Sequence, residues 1–88
     1  MRYGWDDAKA AANLAKPGVA FETIRGFDWR TCLEERDERY DYGEDRWDAI
    51  GFIDGRLHVV VYTLRVDAVR IISLRRANAR ERRAYELR

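Results

Sequence analysis

Eighty-eight residues make one domain, 1–88, that buries only about 60–70% of the surface its unfolded chain exposes, so its stability is modest and a partner is expected. Apolar residues at 47% exclude a disordered chain, even with 38% charged residues and a formal net charge of +1. No run approaches the ~18 apolar residues of a membrane helix, the single Cys32 excludes an internal disulfide, and the single His58 leaves no usual zinc-ligand set, so no membrane, metal or cofactor is expected.

The first residues, Met1-Arg2-Tyr3-Gly4-Trp5-Asp6-Asp7, are charged and aromatic where a signal peptide would be apolar, which predicts a cytoplasmic protein. Residues 2–5 fit a first edge strand. Asp6 is a good N-cap, and Ala8, Ala10, Ala11, Ala12, Leu14 and Ala15 favour a helix over 7–16. Pro17-Gly18 ends it, since proline cannot continue a helix and glycine accepts a left-handed cap. Apolar residues at 20, 21, 24 and 27 predict a short second helix over 20–27. Residues 31–33 start a strand, and the polar stretch 34–45, which lacks periodicity, reads as a long and mobile turn.

Apolar runs over 47–53 and 56–64 flank Asp54-Gly55, a strong hairpin signal, and 69–74 is a third run of branched residues. Asn78 with Glu81 resembles a capping box and opens a last helix that ends near Leu87, with its arginines exposed. The expected fold is therefore α+β: an antiparallel meander, two N-terminal helices packed on one face, and a C-terminal helix. Trp5, Leu14, Phe21, Ile24, Phe27 and alternate strand residues are the predicted core.

The net charge hides a segregation. From Arg65 to Arg88 eight arginines face three acids, a balance of +5, whereas from Glu22 to Asp48 ten acids face five arginines, a balance of −5. Fifteen of the 17 basic residues are arginine, whose planar fork binds phosphate oxygens bidentately. A basic end of this kind suits a polyanion.

Few residues invite other chemistry. His58 lies mid-strand among Leu57, Val59 and Val60 and reads as structural; Cys32 reads as a small core residue. The six glycines are scattered, Ser73 is the only serine, and paired carboxylates such as Glu34-Glu35 default to solvated surface. What remains is a set of arginines (65, 70, 75, 76) at or near strand ends, with Tyr62 nearby and Arg82, Arg83 and Tyr85 on the last helix. RNA cleavage by its own 2′-hydroxyl needs a proton acceptor, stabilisation of the crowded phosphate, and a proton for the leaving oxygen. Fixed arginines meet the second need, and a tyrosine made more acidic by them would help with the first. A basic face for an acidic partner fits these residues equally well.

The order of motifs resembles the BrnT family of bacterial toxins. Tyr3-Gly4-Trp5-Asp6, Lys9, Asn13, Lys16, Gly18-Val19 and Phe21-Glu22 are similar to its opening. Gly43-Glu44-Asp45-Arg46 with Ile50-Gly51 is similar to its Glu-x-Arg and Ile-Gly elements. The closing run is the most specific: Gly55-Arg56-Leu57, Val60-Val61-Tyr62-Thr63-x-Arg65, Arg70-Ile71-Ile72-Ser73-x-Arg75 and Glu81-Arg82-Arg83-x-Tyr85-Glu86. The resemblance implies a RelE-like fold and a ribonuclease toxin of a type II toxin–antitoxin pair, which cleaves RNA and slows translation and growth. Its implied partner is a BrnA-type ribbon-helix-helix antitoxin, through which alone the complex meets operator DNA.

Carried over by motif position and by rigidity of placement, Arg65, Arg75 and Tyr85 are the expected catalytic residues. Arg70, Arg76, Arg82, Arg83 and Lys9 are the expected RNA contacts. The chain departs from the family where the first helix usually ends Lys-His-Gly, since it has Lys16-Pro17-Gly18. A catalytic histidine there would make this member a weakened nuclease that still binds antitoxin and regulates its operon; a capping histidine would make proline a harmless stop.

Overall fold

Asp54 and Gly55 both take left-handed φ values, 50° and 74°, and turn the chain back between two long strands as the Asp-Gly signal predicts. The computed structural model describes residues 1–39 and 41–88. Its elements are β1 (Tyr3–Trp5), α1 (Asp7–Ala15), a 3-10 helix (Phe21–Gly26), β2 (Leu33–Asp37), β3 (Arg46–Ile53), β4 (Arg56–Leu64), β5 (Val69–Arg76) and α2 (Ala79–Glu86). They form a small α+β domain around one five-stranded sheet of order β1-β5-β4-β3-β2.

The sheet is mixed rather than a pure antiparallel meander. β2 to β5 pair antiparallel, but β1 lies parallel to β5, with Tyr3 opposite Val69 and Trp5 opposite Ile71. A three-residue strand carries no period from which its partner can be read. β2 corrects a second expectation, because residues 34–37 are strand and not turn. As an edge strand it exposes four of its five residues, so it needs no apolar alternation.

The short second helix expected over 20–27 is a 3-10 helix over Phe21–Gly26. With three residues per turn, Phe21, Ile24 and Phe27 fall in one line, and all three are buried against β3 and β5. Gly51 on β3 makes room for that line: a Cβ there would sit 2.6 Å from Phe27 Cζ and 3.0 Å from Cys32 Cβ. Gly51→Val is therefore expected to overpack the core and cost about 1–3 kcal/mol. Thermal unfolding checks this against Gly4→Ala, where a Cβ meets nothing within 4 Å and Tm should hold.

α1 is capped by Asp6, whose side chain accepts from Ala8 N and Lys9 N. Its buried residue is Asn13 and not Leu14, which is 57% exposed. The Asn13 amide pairs like a strand neighbour with β5 beyond the reach of β1: Nδ2 donates to Leu74 O (2.8 Å) and Val19 O (2.9 Å), and Oδ1 accepts from Leu74 N (3.3 Å). Gly18 is required by this contact and not by a left-handed cap, since its φ is not positive and a Cβ would lie 2.4 Å from the Asn13 carbonyl oxygen.

The sheet buries both faces unequally. Phe21, Ile24, Phe27, Ala49, Val60, Tyr62, Ile71 and Leu74 fill the side under α1 and the 3-10 helix. Leu57, Val59, Ala77 and Tyr85, backed by Ile50 and Phe52, form a smaller cluster under α2. His58 is buried with Nδ1 2.8 Å from the Arg56 carbonyl oxygen, in keeping with a structural role. A bulge in β5 leaves Ile72 unpaired, so that Arg70, Ser73 and Arg75 all lie across from Thr63, Val61 and Val59 on the α2 face.

Candidate functional site

α2 crosses one end of the sheet and is fixed there by three devices. Asn78 and Glu81 form the predicted capping box, with Glu81 N donating to Asn78 Oδ1 (2.8 Å) and Asn78 N to Glu81 Oε1 (2.9 Å). Arg75 on β5 donates from Nη1 and Nη2 to the two Glu81 oxygens, each at 2.8 Å. Tyr85 is 4% exposed, donates its hydroxyl proton to the Thr31 carbonyl (2.7 Å) and sets its ring edge-on to Phe52. A groove opens on either side of the helix.

The first groove, of about 750 Å³, is rimmed by Arg56, Arg76, Arg82 and Arg88 over Phe52, Leu57 and Tyr85, with Glu86 its one acid. Arg82 donates to Ala77 O and Arg88 to Tyr85 O, each at 2.9 Å, and the Arg88 guanidinium lies 3.9 Å from the Tyr85 ring centre. None of these four arginines forms an ion pair among the described residues, whereas Arg2, Arg30, Arg36, Arg39, Arg65 and Arg75 all do. Of the nine arginines without an ion pair among the described residues, four thus line one groove, and Arg25, Arg46, Arg70, Arg80 and Arg83 lie outside it.

The second groove, of about 620 Å³, lies over the sheet face between α2 and Arg39. Arg75, Asp48, Val59 and Val61 are on its floor, and Glu81, Ala84 and Tyr85 form its α2 wall. Asp48 Oδ1 is closed off from solvent and has no hydrogen-bond partner. Burial pushes the Asp48 carboxyl up, with Asp37 and Glu35 adding to the effect and Arg39 and Arg75 opposing it. Beside it, hydrogen bonds from Arg39 Nε and Nη2 (2.9 Å each) and Tyr42 hold the Asp37 carboxyl far below the usual range. Glu81 is likewise lowered by Arg75 and Asn78, and the hydrogen bond to Glu81 raises Arg75. Asp48 is raised while Asp37 and Glu81 are pinned as anions.

The expected site residues divide among these places. Arg75 and Tyr85 meet at the second groove, and Arg76 and Arg82 at the first. Arg70 lies on the same sheet face as Arg75, opposite Thr63. Arg65 is not brought to Arg75: it follows Leu64 while Arg75 faces Val59, a separation of about 20 Å at ~3.4 Å per residue. Its Nη1 is paired with Glu44 at 2.9 Å. Arg83 is exposed on α2 outside both grooves, and Lys9 is exposed on α1, across the sheet. Pro17 ends that same helix, exposed.

Tyr62 is not made more acidic by arginines. It points to the opposite face, donates to Glu34, and is raised by burial and that carboxylate. Cys32 lies at the edge of the core with Sγ 3.2 Å from Trp29 O, and burial raises its thiol. Asp48 and Arg56 are the groove residues that sequence reasoning passed over. The signal for Asp48 was present, because the Asp-Gly turn fixes Ile53 opposite Arg56 and therefore Asp48 opposite Val61.

No helix among the described residues is long and apolar enough to cross a membrane. A comparison with curated proteins returned no match. The family model described as "Ribonuclease toxin, BrnT, of type II toxin-antitoxin system" matches residues 5–81, from the last residue of β1 through β2 to β5 and into the start of α2. An arginine-lined groove beside a buried, carboxylate-bearing cleft suits such a protein, and by this match the chain belongs to the BrnT family of ribonuclease toxins of type II toxin–antitoxin systems.

Proposed function

We propose that the chain is an endoribonuclease of RelE-like fold whose RNA substrate lies across α2, with its backbone in the Arg56–Arg76–Arg82–Arg88 groove and its scissile phosphate at Arg75. The concentration of four arginines without carboxylate partners in one groove carries this reading, since phosphates are the counter-charge it lacks. Arg83 makes a peripheral backbone contact; Arg70 and Arg65 continue the track along the sheet, the latter once it exchanges Glu44 for phosphate. Tyr85 is the proton carrier toward the leaving oxygen, which requires it to give up its bond to Thr31. Lys9 contacts only RNA that wraps to the far face.

The same surface explains control. An acidic or amphipathic segment of a BrnA-type ribbon-helix-helix antitoxin covers the arginines and hides the site, and operator DNA is bound only through that complex. Free toxin cleaves RNA and slows translation and growth in the cytoplasm. Pro17 acts as a helix stop: it follows α1, which packs on the face opposite α2, so its replacement of the family's usual histidine leaves the grooves intact.

Expression of the chain alone should arrest growth with loss of RNA, and co-expression of the ribbon-helix-helix product of a neighbouring gene should relieve it. Arg76→Ala, Arg82→Ala and Arg83→Ala should each weaken binding to single-stranded RNA and reduce its log–log salt slope by about 0.7, with little change in kcat. Growth unaffected by the chain, or a slope unchanged in all three variants, would count against the reading.

A further inference from the structure

We propose that Asp48 takes the proton from the attacking 2′-hydroxyl of RNA bound in the groove between α2 and Arg39. This rests on the ribonuclease reading above and adds the proton acceptor that reading lacks. Asp48 lies on the floor beside Arg75, on the same face of the sheet, and its orphaned Oδ1 shows a carboxylate that the fold buries without providing for. Oδ1 is closed off, but the residue is only part-buried and lines the groove, so a substrate hydroxyl meets the carboxylate from its other side.

Three of the competing acceptors are held by their own bonds, and the remaining carboxylate on this face, Glu35, is exposed on edge strand β2. Glu81 is held by both Arg75 and the α2 cap, and Asp37 by Arg39 and Tyr42, so both are poor bases. His58 is buried with Nδ1 tied to Arg56 O and sits on the opposite parity of β4. The groups that face Asp48 are Glu35 and Asp37 from β2, Arg39 after it, Arg46 on β3, Arg75 from β5 and Glu81 from α2, while β4 offers only Val59 and Val61. Burial raises its carboxyl against the two arginines, toward the range in which a general base works best.

The step balances without a co-reactant. The 2′-O–H proton passes to Asp48, the O2′–P bond forms, and the P–O5′ bond breaks. The 5′-oxygen leaves with a proton from Tyr85 or water, giving a 2′,3′-cyclic phosphate and a 5′-hydroxyl; Asp48 then returns its proton to solvent, and the donor takes one back from it. Arg75 stabilises the charge that builds on phosphorus oxygens.

Asp48→Asn keeps the shape and removes the acceptor. Cleavage of an RNA oligomer should fall by about 100-fold or more. Binding of the same oligomer with a 2′-deoxy sugar at the cut site should remain within about twofold of the parent, and the low-pH limb of log kcat/KM should be lost. The parent should rise with pH through a midpoint above that of an ordinary aspartate. Asp48 protonates more readily folded than unfolded, so its contribution to stability is largest at low pH and is lost as pH rises; Asp48→Asn should therefore melt at or above the parent Tm at neutral pH. Asp48→Ala carries the same expectation, and Asp48→Glu should recover part of the rate. Variants that cleave within about threefold of the parent, or that lose RNA binding together with cleavage, overturn the assignment to Asp48 alone. A parent that cuts the 2′-deoxy oligomer overturns the 2′-hydroxyl route, and a parent that cuts no RNA overturns the ribonuclease reading with it.

Discussion

Asn13→Ala should be the most destabilising single substitution on the surface-facing helix, costing about 2–4 kcal/mol. Its amide makes three hydrogen bonds to β5 and the chain before the 3-10 helix, and two of them satisfy the buried backbone of Leu74. The Leu74 carbonyl keeps Val19 N at 3.1 Å, but the Leu74 N–H is left with nothing, and an orphaned buried donor costs about 1–3 kcal/mol by itself. A domain of this size has a total stability of roughly 4–13 kcal/mol, and each kcal/mol is worth about 4–8 °C, so Tm should fall by about 10–25 °C. Thermal denaturation followed by circular dichroism measures it, with the exposed neighbour Leu14→Ala as a control expected within about 0.5 kcal/mol. Asn13→Asp should be no better, since it sets a carboxylate against two carbonyl oxygens. A loss under about 1 kcal/mol for Asn13→Ala would mean that water reaches Leu74.

Arg75→Ala should lower kcat/KM on an RNA oligomer by about 100–1,000-fold, against less than about tenfold for Arg65→Ala. Both arginines end apolar strands, but only Arg75 is held bidentately on a rigid neighbour and shares a groove with Asp48 and Tyr85. Arg65 is nearly half exposed, pairs with a loop glutamate, and lies about 20 Å away along the strand. Because Arg75 also clamps α2, its loss carries a structural component. The clamp is part-exposed, so that component is about 1 kcal/mol or less. Glu81→Gln separates the two, because it keeps an acceptor for Asn78 N and weakens only the clamp; Tm should respond much as in Arg75→Ala while cleavage stays within about tenfold of the parent. Equal rate losses in Arg65→Ala and Arg75→Ala would place the phosphate between them and not at Arg75.

Much of this molecule was legible in its residues. Asp54-Gly55 specified the hairpin and its register, Asn78 and Glu81 the cap of α2, and Asp6 the start of α1, because each is a local hydrogen-bond or dihedral requirement. What failed was non-local. Nothing near Tyr3 says that it pairs with Val69, and nothing near Leu33–Asp37 marks an edge strand whose side chains face water. Leu14 looked like core because it is apolar, yet the neighbouring Asn13 takes the buried place, since a side-chain amide can complete a strand edge and leucine cannot. The arginines of the site were visible as a cluster but not as two grooves, because the division depends on where α2 lands and on the Ile72 bulge that turns Arg75 to its face. Asp48 was hidden among acids that do default to solvent.

The closing contacts of β5 set an order of events during synthesis. β5 binds β1 from the chain's first residues and Asn13 from 61 positions upstream, and Tyr85 on α2 reaches back 54 positions to Thr31. Contacts of such long sequence separation make for slow folding, and they form only after the C-terminal segment has been made. An N-terminal fragment of the chain, whether from early termination or a truncated message, therefore has neither the arginine groove nor the groove over Asp48. Both grooves need α2 as a wall, so a nascent chain whose α2 has not yet emerged carries the arginines of β5 but neither groove.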